Sequence, residues 1–188
     1  MTRLLVPREL LEEAEEAARS ASATLVMGDP LDRATTLGPI VSSAQFDQVR
    51  SFIDRGVEEG ARLVGDDLAL PTTGYFVPPT VFTDVTEEMT IAQEEIFGPV
   101  LCLMPYDDVE QAIRIANGTK YGLSGSVWAA TDEEAIAVAR RLETGQVRIN
   151  GHSPSYSAPF GGVKQSGIGR ELGVTGLDEY LEWKVLFV

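Results

Sequence analysis

Apolar and polar residues follow two different spacings along the chain, and each spacing predicts one kind of element. Apolar residues three and four positions apart predict helices, whereas short β-branched or continuous apolar runs predict strands. Strands are predicted at 2–6, 61–64, 100–105, 123–129 and 146–150. Helices are predicted at 9–21, from Ser42 or Ser43 to Gly60, from Asp107 or Asp108 to Asn117, and from Thr131 or Asp132 to Leu142 or Glu143.

The remaining stretches are predicted from the residues that interrupt these patterns. Residues 77–85 read V-P-P-T-V-F-T-D-V. Two prolines cannot donate to a central ladder, so this stretch predicts an edge strand or an extended segment. Loops are predicted at 28–36, 65–74 and 151–173, and a final strand at 179–188.

The order of these elements predicts the fold class. Strand, helix, strand, helix and strand follow one another over residues 100–150, which is typical of right-handed crossovers in a parallel sheet. We therefore expect an α/β fold: a mostly parallel twisted sheet flanked by helices, followed by a C-terminal extended strand.

Composition and charge narrow the function classes. The 188 residues carry a formal net charge of -14, and no Lys/Arg cluster offsets it, which argues against a nucleic-acid partner. A single cysteine excludes a disulfide within the chain and favours a reducing compartment. No signal-peptide core and no apolar stretch of membrane-spanning length is found, so we expect a cytoplasmic protein without a membrane partner.

A glycine-rich stretch at 161–173 reads G-G-V-K-Q-S-G-I-G-R-E-L-G and invites comparison with phosphate-binding loops. The order does not fit a P-loop, because Lys164 precedes the later glycines. The dinucleotide pattern also fails, because Leu172 stands where its third glycine belongs. We expect these glycines to allow tight turns and close packing.

Two residues could carry nucleophilic or acid/base chemistry. His152 is the only histidine, which excludes a multi-histidine metal site, and no metal site is predicted. It lies in the predicted loop and is either a solvated histidine or part of a hydrolase site with a nearby Ser or Cys. Cys102 lies in the apolar run V-L-C-L-M, which predicts a buried core thiol with a raised pKa.

Glu94 and Glu95 form a second candidate, in the stretch Q-E-E-I-F-G-P-V at 93–100. Adjacent carboxylates do not face each other on a helix, and on an extended segment they point to opposite sides. At most one of them is therefore expected to reach a given ligand, and a solvated pair is the alternative.

Taken together, the motifs of this chain resemble the C-terminal part of the NAD(P)-dependent aldehyde dehydrogenase superfamily. The words that carry the resemblance are T-R-L-L-V-P at 2–7, G-Y-F-V-P-P-T-V-F at 74–82, Q-E-E-I-F-G-P-V at 93–100, V-R-I-N at 147–150 and P-F-G-G-V-K-Q-S-G-I-G-R-E at 159–171. The resemblance extends over nearly the whole chain.

The resemblance implies a set of site residues. Glu95 matches the glutamate that hydrogen-bonds the nicotinamide ribose, and Phe97 matches the aromatic residue against the nicotinamide. Phe160 and the loop 151–158, with His152 and Tyr156, match the wall of the aldehyde tunnel. Asn150 matches an asparagine at the end of the strand before that loop, and the implied cofactor is NAD or NADP.

The resemblance also implies which parts of the family's enzymes match this chain. Residues 1–176 match a portion of the family's catalytic domain and 177–188 match an oligomerisation strand. The family's nucleophilic cysteine and Rossmann-type domain match no residue here. We therefore expect this chain alone to be inactive and to bind NAD weakly, with a separate N-terminal half as a possible partner. The alternative is a non-catalytic module that forms homo-oligomers through its last strand.

Overall fold

The computed structural model describes residues 2–65 and 70–188, and its elements fall into two compact units, Met1–Ala112 and Ile113–Val188. The first unit contains β1 (Arg3–Pro7), a 3-10 turn (Arg8–Leu10), α1 (Leu11–Ala23), α2 (Ser43–Glu58), β2 (Arg62–Val64), β3 (Thr80–Thr83), α3 (Thr90–Gln93) and β4 (Val100–Tyr106). Helix α4 (Val109–Asn117) crosses the division. The second unit contains β5 (Tyr121–Gly122), β6 (Ser124–Val127), α5 (Asp132–Ala139), β7 (Gln146–Ile149), β8 (Val163–Lys164) and α6 (Gly173–Asp178). The chain is thus a mixed α/β protein, and part of the predicted loop at 65–74, residues 66–69, lies outside the described residues.

A four-stranded sheet in the order β1-β4-β3-β2 forms the centre of the first unit. Strands β1, β4 and β3 are parallel, and β2 runs antiparallel to β3. The apolar run predicted as a buried strand is β4, in which Leu103 and Cys102 are completely buried. One core cluster joins α1 to this sheet through Ala18, Val64, Val81 and Leu103.

The stretch with two prolines does not form the predicted edge strand. Strand β3 lies inside the sheet, between β2 and β4, and all four of its residues are buried. The edge position was wrong because Pro78 and Pro79 precede the paired residues and remove no donor from the ladder. The first donor after them, the Thr80 amide, reaches the carbonyl of Pro99 at 2.8 Å.

The helix starts confirm the capping predictions and choose between the alternatives. The Ser42 hydroxyl accepts a hydrogen bond from the Gln45 amide at 3.3 Å, and Thr131 forms a capping box with Glu134. Asp108 accepts from the Gln111 amide at the start of α4. Asp107 instead pairs with Arg8, whose hydrogen bond holds the pKa of Asp107 below its usual range.

The second unit shows that the predicted single sheet over residues 100–150 was wrong. Strand β6 pairs in parallel with β7, and β5 pairs antiparallel with β8. A strand has two edges, and both edges of β4 are already occupied by β1 and β3. No edge of β4 is therefore left to pair with β6. The strand–helix–strand crossover is formed by β6, α5 and β7.

The C-terminal residues take no strand conformation in the single chain. Helix α6 includes Leu177 and Asp178, so the predicted boundary at 176 falls inside a helix. Residues 181–188 have no regular secondary structure, and Trp183 and Phe187 are 100% and 95% exposed. A strand needs a neighbour with which to exchange hydrogen bonds, and this segment pairs with no strand of the described chain. Within the described ranges, no helix has the length and apolar character to cross a membrane.

Candidate functional site

The segment that follows α3 presents two side chains to solvent and turns two inward. The chain leaves the helix in an extended conformation at Glu94, with φ of -103° and ψ of 156°. Glu94 is half-buried and Ile96 is completely buried, whereas Glu95 and Phe97 are exposed. This alternation agrees with the expectation that only one of the two carboxylates can face a given ligand.

Phe97 has an unusual backbone conformation for an exposed aromatic residue. Its φ is 53°, in the left-handed region, and its side chain is 70% exposed. A non-glycine residue held there costs on the order of 1–3 kcal/mol, so neighbouring contacts must maintain it. On one side of it Ile96 is buried, and on the other Gly98 packs so closely on Val49 that a Cβ would lie 2.6 Å from its Cγ1.

Helix α2 holds this segment at both ends. At the start of α3, the Glu59 carboxylate accepts hydrogen bonds from the Thr90 amide and from the Thr90 hydroxyl, both at 2.6 Å. Near the other end, the Gln45 carboxamide donates to the carbonyl oxygens of Ile96 at 3.0 Å and Phe97 at 3.3 Å. The exposed pair therefore stands on a backbone that is fixed before and after it.

The chemistry available at this surface is that of a hydrogen-bond acceptor beside an aromatic ring. An ionised carboxylate accepts hydrogen bonds from hydroxyl groups, and the exposed ring offers an apolar face to a planar partner. An acceptor beside a ring fits a sugar hydroxyl next to a planar heterocycle.

A second group of predicted site residues lies in the other unit, after β7. Asn150 follows that strand with φ of 44°, and both polar atoms of its carboxamide form hydrogen bonds. Its Oδ1 accepts from the Ala129 amide at 2.9 Å, and its Nδ2 donates to Asp132 Oδ1 at 2.8 Å. His152 follows two residues later, exposed, with Nε2 3.8 Å from Asp132 Oδ2.

The other two predicted tunnel residues differ in how firmly they are held. Phe160 is half-buried, and its backbone forms a two-hydrogen-bond bridge with Glu171, with both bonds at 2.7 Å. Tyr156 is 88% exposed. The loop is therefore anchored at Asn150 and Phe160, and His152 and Tyr156 project from its exposed part.

The glycine-rich stretch serves packing, as its sequence predicted. Lys164 does not point to an open anion site: its Nζ donates to the carbonyls of Asn117 and Thr119 and pairs with Glu143 at 2.6 Å. The ammonium thus neutralises the C-terminal end of α4. The sequence analysis missed this role because Lys164 lies 47 residues from its partner Asn117.

Cys102 is a core residue, which confirms the prediction from its apolar context. Its side chain is completely buried, and Sγ lies 3.5 Å from the carbonyl oxygen of Ile91. Burial raises the pKa of the thiol to about 12, with a smaller opposing effect from Arg3. At neutral pH the thiol stays protonated and shielded, so it is not available as a nucleophile.

Gln45 and Glu59 are the two site residues that sequence reasoning missed. They lie 51 and 31 residues from the carbonyl and amide that they bind. The nearest sequence signal was the serine cap at the start of α2, which predicts the helix but says nothing about its partners.

The fold and the exposed pair define a class: a mixed α/β domain that offers a carboxylate and an aromatic ring to a ligand without a reactive thiol among the described residues. Comparison with known proteins makes this specific. The model of the aldehyde dehydrogenase family matches residues 1–186, and the chain belongs to that family.

Individual relatives and solved structures support this assignment to the family. The chain is 47% identical to a 3-succinoylsemialdehyde-pyridine dehydrogenase of a Pseudomonas species, over 98% of this chain and 39% of the relative. It is 44% identical to the geranial dehydrogenase of Castellaniella defragrans, over 100% and 39% of the two chains. The chain thus spans about 39% of the length of these curated relatives.

Among solved structures, aldehyde dehydrogenase C (AldC) of Pseudomonas syringae, a mutant with NAD+ and octanal bound, has a TM-score of 0.92 and 48% identity. The match covers 96% of this chain and 38% of AldC. An aldehyde dehydrogenase of Mycobacterium tuberculosis in complex with NAD+ has a TM-score of 0.91 and 45% identity, over 96% and 38% of the chains.

Proposed function

We propose that these residues form the nicotinamide-side and aldehyde-side surfaces of an NAD-dependent aldehyde dehydrogenase. The observation that carries the proposal is the exposed pair of Glu95 and Phe97 on a backbone fastened at both ends. Glu95 accepts a hydrogen bond from a hydroxyl of the nicotinamide ribose, and Phe97 packs against the nicotinamide. The NAD+ bound in the solved relatives supports NAD as the cofactor.

In the proposed reaction, an aldehyde and water give a carboxylic acid; NAD, held at its nicotinamide end by Glu95 and Phe97, would supply the hydride acceptor. Residues of this chain hold the cofactor and the aldehyde in position. A carboxylate and a ring on one fixed segment constrain the nicotinamide ribose and its base together, which lowers the entropic cost of reaching the reactive geometry. Phe160, His152 and Tyr156 contribute the wall against which the aldehyde lies.

The thiolate that this chemistry needs does not come from Cys102, which is buried and protonated. We propose that the nucleophile and the binding site for the cofactor phosphates are supplied by other parts of the enzyme, in the same polypeptide or in a partner half. By itself, this 188-residue chain forms no NADH from aldehydes. Aldehyde-dependent turnover that disappears in Cys102→Ser would contradict this division.

A chimera tests the proposed role of Glu95. The segment of active AldC that matches this chain is replaced by residues 1–188, and NADH formation from octanal is followed at several NAD concentrations. We expect Glu95→Gln to lower kcat/KM for NAD about 10- to 100-fold, because a hydrogen bond to a charged group contributes about 1.5–3 kcal/mol.

The matched control is Glu12→Gln, an exposed carboxylate on α1, which should leave kcat/KM within a factor of two of the parent chimera. Equal effects of the two variants on an active chimera would show that Glu95 does not bind the cofactor.

The exposed apolar tail favours a second proposal, that residues 181–188 pair with another copy of the chain. Trp183, Leu186 and Phe187 are at least 76% exposed, and an unpaired segment of this kind readily adds to a strand edge.

We expect sedimentation of the 188-residue chain to give a dimer or larger oligomer, and Trp183→Ser with Phe187→Ser to shift it toward monomer. The control is Leu31→Ser, 92% exposed in the first unit, which should leave the distribution unchanged. A monomeric parent chain would contradict pairing through the tail.

A further inference from the structure

Helix α2 and its C-terminal capping residue, Glu59, contact the segment 90–98 at three points. Glu59 binds the start of α3, Val49 supports Gly98, and Gln45 binds the carbonyls of residues 96 and 97. The first two contacts support residues on either side of the exposed pair. Of the three contacts, that of Gln45 is to the backbone at Ile96 and Phe97, within the exposed stretch itself.

The geometry of the Gln45 contact depends on the conformation of Phe97. In an extended strand, successive carbonyl groups point in opposite directions, so one donor group cannot reach two of them. Here a single carboxamide nitrogen lies 3.0 Å and 3.3 Å from two successive carbonyl oxygens. The left-handed turn at Phe97 brings both oxygens to the same side.

Gln45 is itself held where this contact requires it. It occupies the first turn of α2, and its amide donates to the capping hydroxyl of Ser42 at 3.3 Å. Its side chain is only partly buried and adds no apolar group to the core. Removing the carboxamide should therefore release the backbone at 96–97 without opening a cavity beneath it.

We propose that Gln45 is a positioning residue for the cofactor site: its carboxamide selects the left-handed conformation of Phe97 and thereby fixes the direction of the exposed Phe97 ring relative to Glu95. The expected consequence for NAD binding rests on the proposed function. The expected effect on the backbone at 96–97 rests on the observed contacts of Gln45. Without Gln45, Phe97 loses a contact that favours the left-handed region, and its ring changes direction relative to Glu95.

The test uses Gln45→Met, which keeps the length of the side chain and removes its donor, with Gln165→Met as the chemically matched control at an exposed position. In the isotopically labelled 188-residue chain, we expect Gln45→Met to displace the backbone carbon and nitrogen signals of residues 96–98. The signals of β3 and β4 should stay in place, and so should all of these signals in the control.

The functional arm uses the AldC chimera. We expect Gln45→Met to raise KM for NAD about tenfold while KM for octanal and the thermal midpoint stay near those of the control. A merely structural role would instead lower the thermal midpoint and leave KM for NAD unchanged. Gln45→Asn, which retains a donor on a shorter side chain, should recover part of the lost affinity.

Two results would overturn the proposal. Unmoved signals at 96–98 would show that Gln45 does not hold this backbone. Displaced signals with an unchanged KM for NAD would show that the conformation of Phe97 does not matter for the cofactor. In that second case, Glu95→Gln in the same chimera separates the causes: a loss of kcat/KM leaves the proposed function standing, and no loss refutes it as well.

Discussion

The Gly145→Ala variant is expected to lose the native packing of the second unit, with a destabilisation of about 3 kcal/mol or more. Gly145 lies just before β7, and a Cβ at this position would overlap the carbonyl oxygen of Gly161. Its amide also donates to the Gly122 carbonyl at 3.0 Å, so the backbone is held on a second side. Neither group is the end of a flexible side chain, so the overlap is relieved only by separating two backbone segments.

Tryptophan fluorescence during urea unfolding measures this effect in the second unit alone, because both tryptophans of the sequence, Trp128 and Trp183, lie there. The matched control is Gly125→Ala, in β6, where the nearest atom to a new Cβ is Thr144 Oγ1 at 3.6 Å, an ordinary contact. That variant should unfold within about 1 kcal/mol of the parent chain. Equal midpoints for the two variants would show that the Gly145–Gly161 approach is not a constraint on the fold.

The second large effect is expected for Leu103→Ala, which should cost about 3 to 4 kcal/mol of the free energy of unfolding. Leu103 is completely buried in β4 and belongs to the cluster that joins α1 to β2 and β3. Truncation loses the transfer free energy of the removed methyl groups and leaves a cavity in the middle of the sheet. Because small domains have only about 5–15 kcal/mol of stability, such a loss is readily measured.

Urea unfolding followed by far-UV circular dichroism, with Leu31→Ala as the control, tests this prediction. Leu31 is 92% exposed, so the same change there should alter stability by less than about 0.5 kcal/mol. If the two leucine variants unfold at the same urea concentration, β4 is not the centre of the core.

The four longer helices of this chain, α1, α2, α4 and α5, could be predicted closely because their signals are local, whereas the short helices α3 and α6 were missed. A cap and its acceptor lie within three residues, as at Ser42 and Thr131. The strand at 100–105 was also predictable, because burial on both faces requires a continuous apolar run. The position of a strand within a sheet is not local, which is why the edge position of β3 and the joining of β4 to β6 were both predicted wrongly.

The candidate site likewise has features that the sequence predicts and features that only the fold produces. The alternation of Glu94, Glu95, Ile96 and Phe97 could be read from the sequence, since an extended backbone sends neighbouring side chains to opposite sides. The left-handed backbone at Phe97 could not, because nothing in F-G-P favours that conformation at the phenylalanine itself. The Gln45 carboxamide, which binds the carbonyl oxygens of residues 96 and 97, lies 52 residues from Phe97 along the chain.

The sequence by itself determined the family, the starts of the longer helices, the buried character of Cys102 and the expectation that only one of two adjacent carboxylates faces a given ligand. Each of these follows from residue type and from spacing over a few positions. The tertiary structure decided the order of the strands and the support of the segment 94–98 by α2. These depend on which distant backbone groups find each other, and the free energy of such contacts appears only once the chain has folded.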